Sequence, residues 1–167
     1  MVHSINSLSS TSAIIQADRS KLKLERVKVR DYLEEIQQLY TQDENFQIDI
    51  EVEEDERGRE LPIYTRLDKT QMTTVLTNLI DNAKRHGFQR LSKQYTIQFT
   101  VGLSADEQEV IILYKNDGLP FPSNFSFEDF IGYGNYAGHT GHSGIGGYLI
   151  HQIMDTHNGY LAYRQPI

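Results

Sequence analysis

Two β-rich runs, YTIQFTVGLS (Tyr95–Ser104) and EVIILYKND (Glu109–Asp117), are separated only by the polar ADEQ. So short a polar break between two runs rich in β-branched and aromatic residues predicts an antiparallel hairpin. A lone hairpin is marginal in water, so the rest of the chain has to cover its apolar face. Upstream, RVKVRDYLEEIQQLYTQ spaces Val27, Val29, Tyr32, Leu33, Ile36, Leu39 and Tyr40 close to the helical period, most regularly from Tyr32 onward. FQIDIEVEE alternates Phe46, Ile48, Ile50 and Val52 with polar neighbours and predicts a half-buried strand, and LPIYTRL a second short one. A strongly helical run then begins, which Asp68 or Thr70 can cap, with Met72, Val75, Leu76, Leu79, Ile80 and Ala83 on one arc. GIGGYLIHQIMDTHNG predicts a further helix with Leu149, Ile150, Ile153 and Met154 inside and Asn158-Gly159 as its stop. YLAYRQPI predicts a closing strand. Interspersed helices and strands with a hairpin define an α+β class: a two-layer sandwich of a mixed, mostly antiparallel sheet with helices on one face.

A length of 167 residues suits a single domain with a sizeable core. The net charge of -7 supplies no long-range attraction to nucleic acid or to an anionic membrane surface. The absence of cysteine excludes disulfide scaffolds and thiolate chemistry, and fits a cytoplasmic setting. No apolar run approaches the roughly 20 residues of a membrane span. The serine-rich residues 1–22 read as a loose lead-in, or as the remnant of an upstream helical domain.

Several stretches carry chemistry. In TNLIDNAKRHG, Asn78, Asn82, Arg85 and Gln89 form a polar stripe along the edge of the apolar arc, where core meets solvent. Arg85 lies one turn beyond Asn82, as a solvated arginine or a phosphate ligand, and His86 projects toward the apolar side as a core histidine or a ligand contact. NDGLP follows the second hairpin strand; Asn116, Asp117 and Gly118 there are turn chemistry, or a place where backbone approaches a flat ligand. FEDF sets Phe127 and Phe130 three apart. GHSGIGG opens the last helix with Gly141, Gly144, Gly146 and Gly147, where helical N–H groups attract phosphate. It is neither a Walker loop nor a dinucleotide fingerprint. His139 and His142 stand three apart in the long Gly118–Gly144 segment without a third ligand of the kind zinc needs. Tyr133 and Tyr136 lie in the same lid-like stretch.

Taken in order, these stretches resemble the ATP-binding domain shared by sensor histidine kinases and the gyrase, chaperone and mismatch-repair ATPases (GHKL family, Bergerat fold), most closely its histidine-kinase branch. TNLIDNAKRHG resembles the asparagine box, NDGLP with Pro120 the first glycine box, FEDF the phenylalanine box, and SGIGGYLIHQIMDTHNG the second glycine box with its helix. The resemblance covers the chain from about Lys23 to Ile167, without the family's final strand.

By this resemblance Asn82 holds the Mg2+ that bridges the phosphates of ATP, Asn78 supports the same polar wall, Arg85 meets phosphate and His86 packs on the base. Gly141, His142, Ser143, Gly144, Ile145 and Gly146 border the phosphates. Asn116 aligns with an aspartate that accepts from the adenine amine, and Asp117 substitutes only if the turn shifts. His142 replaces an expected glycine. In the hydrolytic relatives a glutamate four residues before the magnesium asparagine activates water; here that residue is Asn78, and a neutral amide is no general base. The resemblance therefore implies transfer of the γ-phosphoryl of ATP to a histidine on a separate dimerisation domain of the same kinase, with a response regulator downstream and the isolated domain a monomer. A serine kinase of the sigma-regulator type and a degenerate nucleotide-binding or interaction module are the alternatives.

Overall fold

The computed structural model describes residues 21–90, 92–132 and 145–164. The lead-in 1–20 and the lid-like stretch with Tyr133, Tyr136, His139, Gly141, His142, Ser143 and Gly144 lie outside them. The chain divides into two compact units, one built from Leu24–Leu67 and Ile80–Leu119, the other from Asp68–Leu79 and the chain from Pro120 on, with Met1–Lys23.

The first unit holds the strands. β1 (Glu25–Lys28) runs directly into helix α1 (Val29–Gln38), followed by β2 (Phe46–Val52) and β3 (Tyr64–Leu67). β4 (Tyr95–Leu103) and β5 (Val110–Asn116) are the expected hairpin, antiparallel with Phe99 opposite Tyr114. β2 lies parallel to β4, Phe46 opposite Tyr95, and β1 pairs antiparallel with β3, giving ladders in the orders β2-β4-β5 and β1-β3. The alternation read from sequence is realised in burial. Phe46, Ile48 and Val52 of β2 and Tyr95, Ile97, Phe99 and Val101 of β4 are buried, with polar residues between them. Val29, Tyr32, Leu33 and Ile36 make the buried stripe of α1. Its polar flank is stitched to β2, for Gln37 Nε2 donates to Ile48 O at 2.6 Å and Arg30 Nη1 to Ile50 O at 3.1 Å.

Two expectations for this helix change. Val27 belongs to β1, opposite Thr65, because a partner strand is at hand and a β-branched residue suits a ladder. Leu39 and Tyr40 fall past the end of α1. Tyr40 N–H closes a tight turn onto Gln37 O at 3.1 Å and its ring packs against Phe46, while Leu39 is 62% exposed.

In the second unit helix α2 (Lys69–Asn82) begins, and the division between units falls within it, after Leu79. Two more helices follow, α3 (Phe127–Ile131) and α4 (Gly146–Thr156). α4 stops as expected. Asn158 adopts a left-handed φ of 55°, its N–H reaches Asp155 O, and Gly159 N–H reaches Met154 O, which is a Schellman closure. The closing strand is not formed by the described residues 160–164. Leu161 and Tyr163 keep the alternating burial, but no described strand pairs with them, and alternation without a ladder does not make a strand.

Asp68 caps α2. Its Oδ1 accepts Gln71 N–H at 3.1 Å, its Oδ2 accepts Lys23 N–H at 3.0 Å, and its own N–H donates to His157 Nε2 at 3.1 Å. Burial pushes this carboxyl up, but the Gln71 and Lys23 N–H groups and the nearby His157 outweigh it and hold the group below its ordinary range. A folded value below the unfolded one means stability that is present above about pH 3.9 and lost as pH falls through the folded value. Asp68→Ala is expected to cost about 1 kcal/mol in urea denaturation at neutral pH. The gap between variant and parent should close as titration is carried below about pH 3.9.

Candidate functional site

The asparagines of α2 differ in how they are used. Asn78 is half-buried, and its Nδ2 donates to Thr74 O, one turn back, at 2.8 Å. Thr74 and Thr77 fold back in the same way, onto Thr70 O and Thr73 O. The helix thus satisfies its own polar edge there. Asn82, one turn on and half-buried, has no side-chain hydrogen bond among the described residues, so its amide oxygen is left for something else. Its neighbour Asp81 is engaged by the Tyr40 hydroxyl, and burial, ahead of the charge and hydrogen bond of Asp81, pushes that phenol up to about 12.

Beyond Asn82 the helix widens into a π-helical turn, Ala83–Gly87, closed by Phe88 N–H to Ala83 O at 2.9 Å. Such turns are rare and concentrate at functional sites. The widening departs from the 100° period used to project His86; His86 is half-buried and Arg85 exposed. Lys84 is held by Asp43 at 3.1 Å, whereas Arg85 pairs with no carboxylate among the described residues. A cation left unpaired one turn from an unengaged amide suits an anionic ligand.

The first glycine box is pulled against this π turn by backbone, since Leu119 N–H donates to Gly87 O at 3.0 Å. Gly118 is glycine for that reason: a Cβ there would stand 3.0 Å from Gly87 C and Cα. The backbone it approaches is that of Gly87. Asn116 Oδ1 accepts Gly118 N–H at 3.0 Å and its Nδ2 reaches the Tyr114 hydroxyl at 3.4 Å. Asp117 is turned to structural use, accepting Thr96 N–H at 2.8 Å and facing Lys93 Nζ at 3.3 Å. Standing in for Asn116 would require it to leave these contacts.

The other unit carries the phenylalanine box and the start of α4. Ser126 and Asp129 form a reciprocal capping box on α3, and Phe130 stacks near Phe121 and Tyr163 in an aromatic cluster, while Phe127 is half-buried. Ile145 is the N-cap of α4 and brings no side-chain cap, so the first-turn N–H groups from Gly146 onward lack intrahelical acceptors. Gly147 serves packing: a Cβ there would overlap the carbonyl oxygen of Phe130. Pro120 is exposed. Among the described residues no group of three His, Asp or Glu side chains gathers to hold a metal.

Sequence reasoning missed Tyr114, which shares a sheet face with Asn116 by the two-residue period of β5 and so was within reach of it. It also missed the π turn, for which AKRHG carries no signal beyond its glycine.

An asparagine helix ending in an unengaged amide and an exposed arginine, with a glycine turn drawn against it, is a surface chemically suited to a phosphate-bearing ligand. Residues 67–166 match the family model for the histidine kinase-, DNA gyrase B-, and HSP90-like ATPases, and the chain belongs to that family. It is 29% identical over 154 residues to the alginate biosynthesis sensor protein KinB of Pseudomonas aeruginosa, which covers 90% of this chain and 24% of KinB. The chain thus spans about a quarter of that relative's length. The histidine kinase AdeS of Acinetobacter baumannii superposes with a TM-score of 0.63 at 15% identity, over 92% of this chain and 66% of AdeS. The catalytic domain of histidine kinase ThkA gives 0.62 at 17% identity, over 81% of this chain and 84% of that domain. Full-length ShkA in complex with AMPPNP gives 0.66 at 15% identity, over 92% of this chain and 31% of ShkA. The fold is therefore that of the ATP-binding catalytic domain of histidine kinases. Among the described residues no helix is long and apolar enough to cross a membrane.

Proposed function

We propose that residues 23–167 bind Mg-ATP and transfer its γ-phosphoryl to a histidine on a separate dimerisation domain of the same kinase, with a response regulator downstream. One observation carries the choice of reaction. The residue a turn before Asn82 is Asn78, a neutral amide whose N–H is already given to Thr74 O, and it cannot remove a proton from water. Asp81 is occupied by Tyr40 and does not replace it. The imidazole of the incoming histidine is already a nucleophile: its nitrogen forms the new bond to phosphorus, the bridging oxygen leaves with ADP, and the ring proton passes to solvent.

The donor chemistry fits magnesium. An amide oxygen is a hard ligand, Mg2+ keeps several waters and leans on phosphate oxygens, and bound there it would neutralise charge on the phosphates. Asn82 offers the unengaged oxygen, Arg85 the cation for a phosphate, and His86 a ring beside the base. Gly141, His142, Ser143, Gly144, Ile145 and Gly146 would border the phosphates from the start of α4. The work is cytoplasmic, and the isolated domain is a monomer.

The test is phosphotransfer from labelled ATP to that histidine-bearing domain, supplied separately. An acid-labile, base-stable phosphate on the acceptor is expected. Label found only on serine of a small partner would establish the sigma-regulator alternative, and a protein that binds no nucleotide would establish the degenerate module.

A further inference from the structure

The amide of Asn116 has a fixed orientation. Its Oδ1 accepts the Gly118 N–H at 3.0 Å, and a flipped amide would set two donors against each other at that distance. Nδ2 therefore points the other way, toward the Tyr114 hydroxyl at 3.4 Å, a long bond that leaves a second N–H uncommitted among the described residues. Asn116 is exposed at the end of β5, and its Oδ1 stands 3.6 Å from where a Cβ of Gly87 would lie, two residues from Arg85. The adjacent carboxylate of Asp117 is turned to Thr96 and Lys93. The side-chain group left wholly unspent here is a neutral N–H donor, with one lone pair of the acceptor oxygen already taken by Gly118 N–H.

We propose that Asn116 sets the base preference of the nucleotide site toward purines that carry a carbonyl at position 6, so that inosine and guanosine triphosphates bind at least as well as ATP. This rests on reading the site as a nucleotide site. A 6-amino purine brings a donor at position 6 and would meet the amide N–H donor to donor. A 6-keto purine brings an acceptor there and completes a hydrogen bond. A carboxylate at the same position would have satisfied Gly118 N–H with one oxygen and a 6-amino group with the other. The change from two acceptors to one acceptor and one donor moves the complementarity toward the 6-keto group. Gly87 and Gly118, packed backbone to backbone, add no side chain that could override it.

Calorimetric titration of ATP, ITP and GTP, each with Mg2+, into this protein and into Asn116→Asp tests the assignment. ITP is the decisive ligand, since it differs from ATP only at the base edge in question. ITP is expected to bind as tightly as ATP or tighter, and Asn116→Asp to favour ATP over ITP by about tenfold or more. A native preference for ATP of that size, or a ratio unmoved by the substitution, would overturn the proposal; the native ratio decides it even if the variant misfolds. Absence of binding by all three nucleotides to both proteins is a different result: it removes the nucleotide site itself, and base preference with it.

Discussion

Asn82→Ala is expected to leave the fold intact and to reduce phosphotransfer from Mg-ATP on the order of 100-fold or more. The structural cost should be small, because the Asn82 side chain makes no hydrogen bond among the described residues and alanine is the better helix former. The functional cost should be large, because the amide oxygen is a hard ligand at the end of α2 that makes no hydrogen bond among the described residues. Asn78→Ala provides the contrast. It removes a bond that Asn78 makes to its own helix at Thr74 O, so its loss should be felt less in metal dependence than in local helix order. Titration with Mg2+ at fixed ATP separates the two. A rightward shift in the metal requirement confined to Asn82→Ala supports the assignment, and equal transfer by Asn82→Ala and the parent protein would remove Asn82 from the metal. Arg85→Ala should raise the ATP concentration needed without moving the metal requirement, as expected of a group that meets phosphate directly.

The parts of this fold governed by period were readable from sequence. The hairpin β4-β5, the alternation in β2, the buried arc of α2 and the Asn158-Gly159 stop of α4 each follow from local spacing and cap chemistry. What was not readable depends on partners distant in the chain. Val27 joins a strand because Thr65 is there to pair with it, and residues 160–164 fail to form one because nothing described pairs with them. The candidate site divides along the same line. Asn78 and Asn82 could be placed at the edge of α2 from helical geometry alone, but that one is spent on its own backbone and the other is not is a matter of rotamer. The π turn at Ala83–Gly87 departs from the 100° period on which the projection of His86 was based. Asp117 looked like a spare acceptor in NDGLP, and only the positions of Thr96, at the start of β4, and of Lys93 just before it show that it is engaged.

Gly147→Ala is expected to destabilise the domain by about 3 kcal/mol, at the upper end of what an overpacked methyl group costs. Helix propensity points the other way, favouring alanine by up to about 1 kcal/mol in a helix interior and less in a first turn. Packing should win because of what the new Cβ would meet. It would overlap the carbonyl oxygen of Phe130 and stand 2.8 Å from its carbon, and backbone cannot swing aside as a side chain can. Relief would require moving α3, and Phe130 is tied through its ring to Phe121 and Tyr163, so the displacement would spread into the aromatic cluster. Gly102→Ala is the matched control. Its Cβ would come 3.1 Å from Glu53 Oε2, the far end of a flexible side chain, and a strand prefers alanine to glycine. A change within about 0.5 kcal/mol is expected there. For a chain of this size the Gly147 substitution should lower Tm by roughly 6 to 12 °C. Equal melting of the two variants would mean that α4 can withdraw from Phe130 at little cost, and that Gly147 is glycine for the approach of a phosphate rather than of a helix.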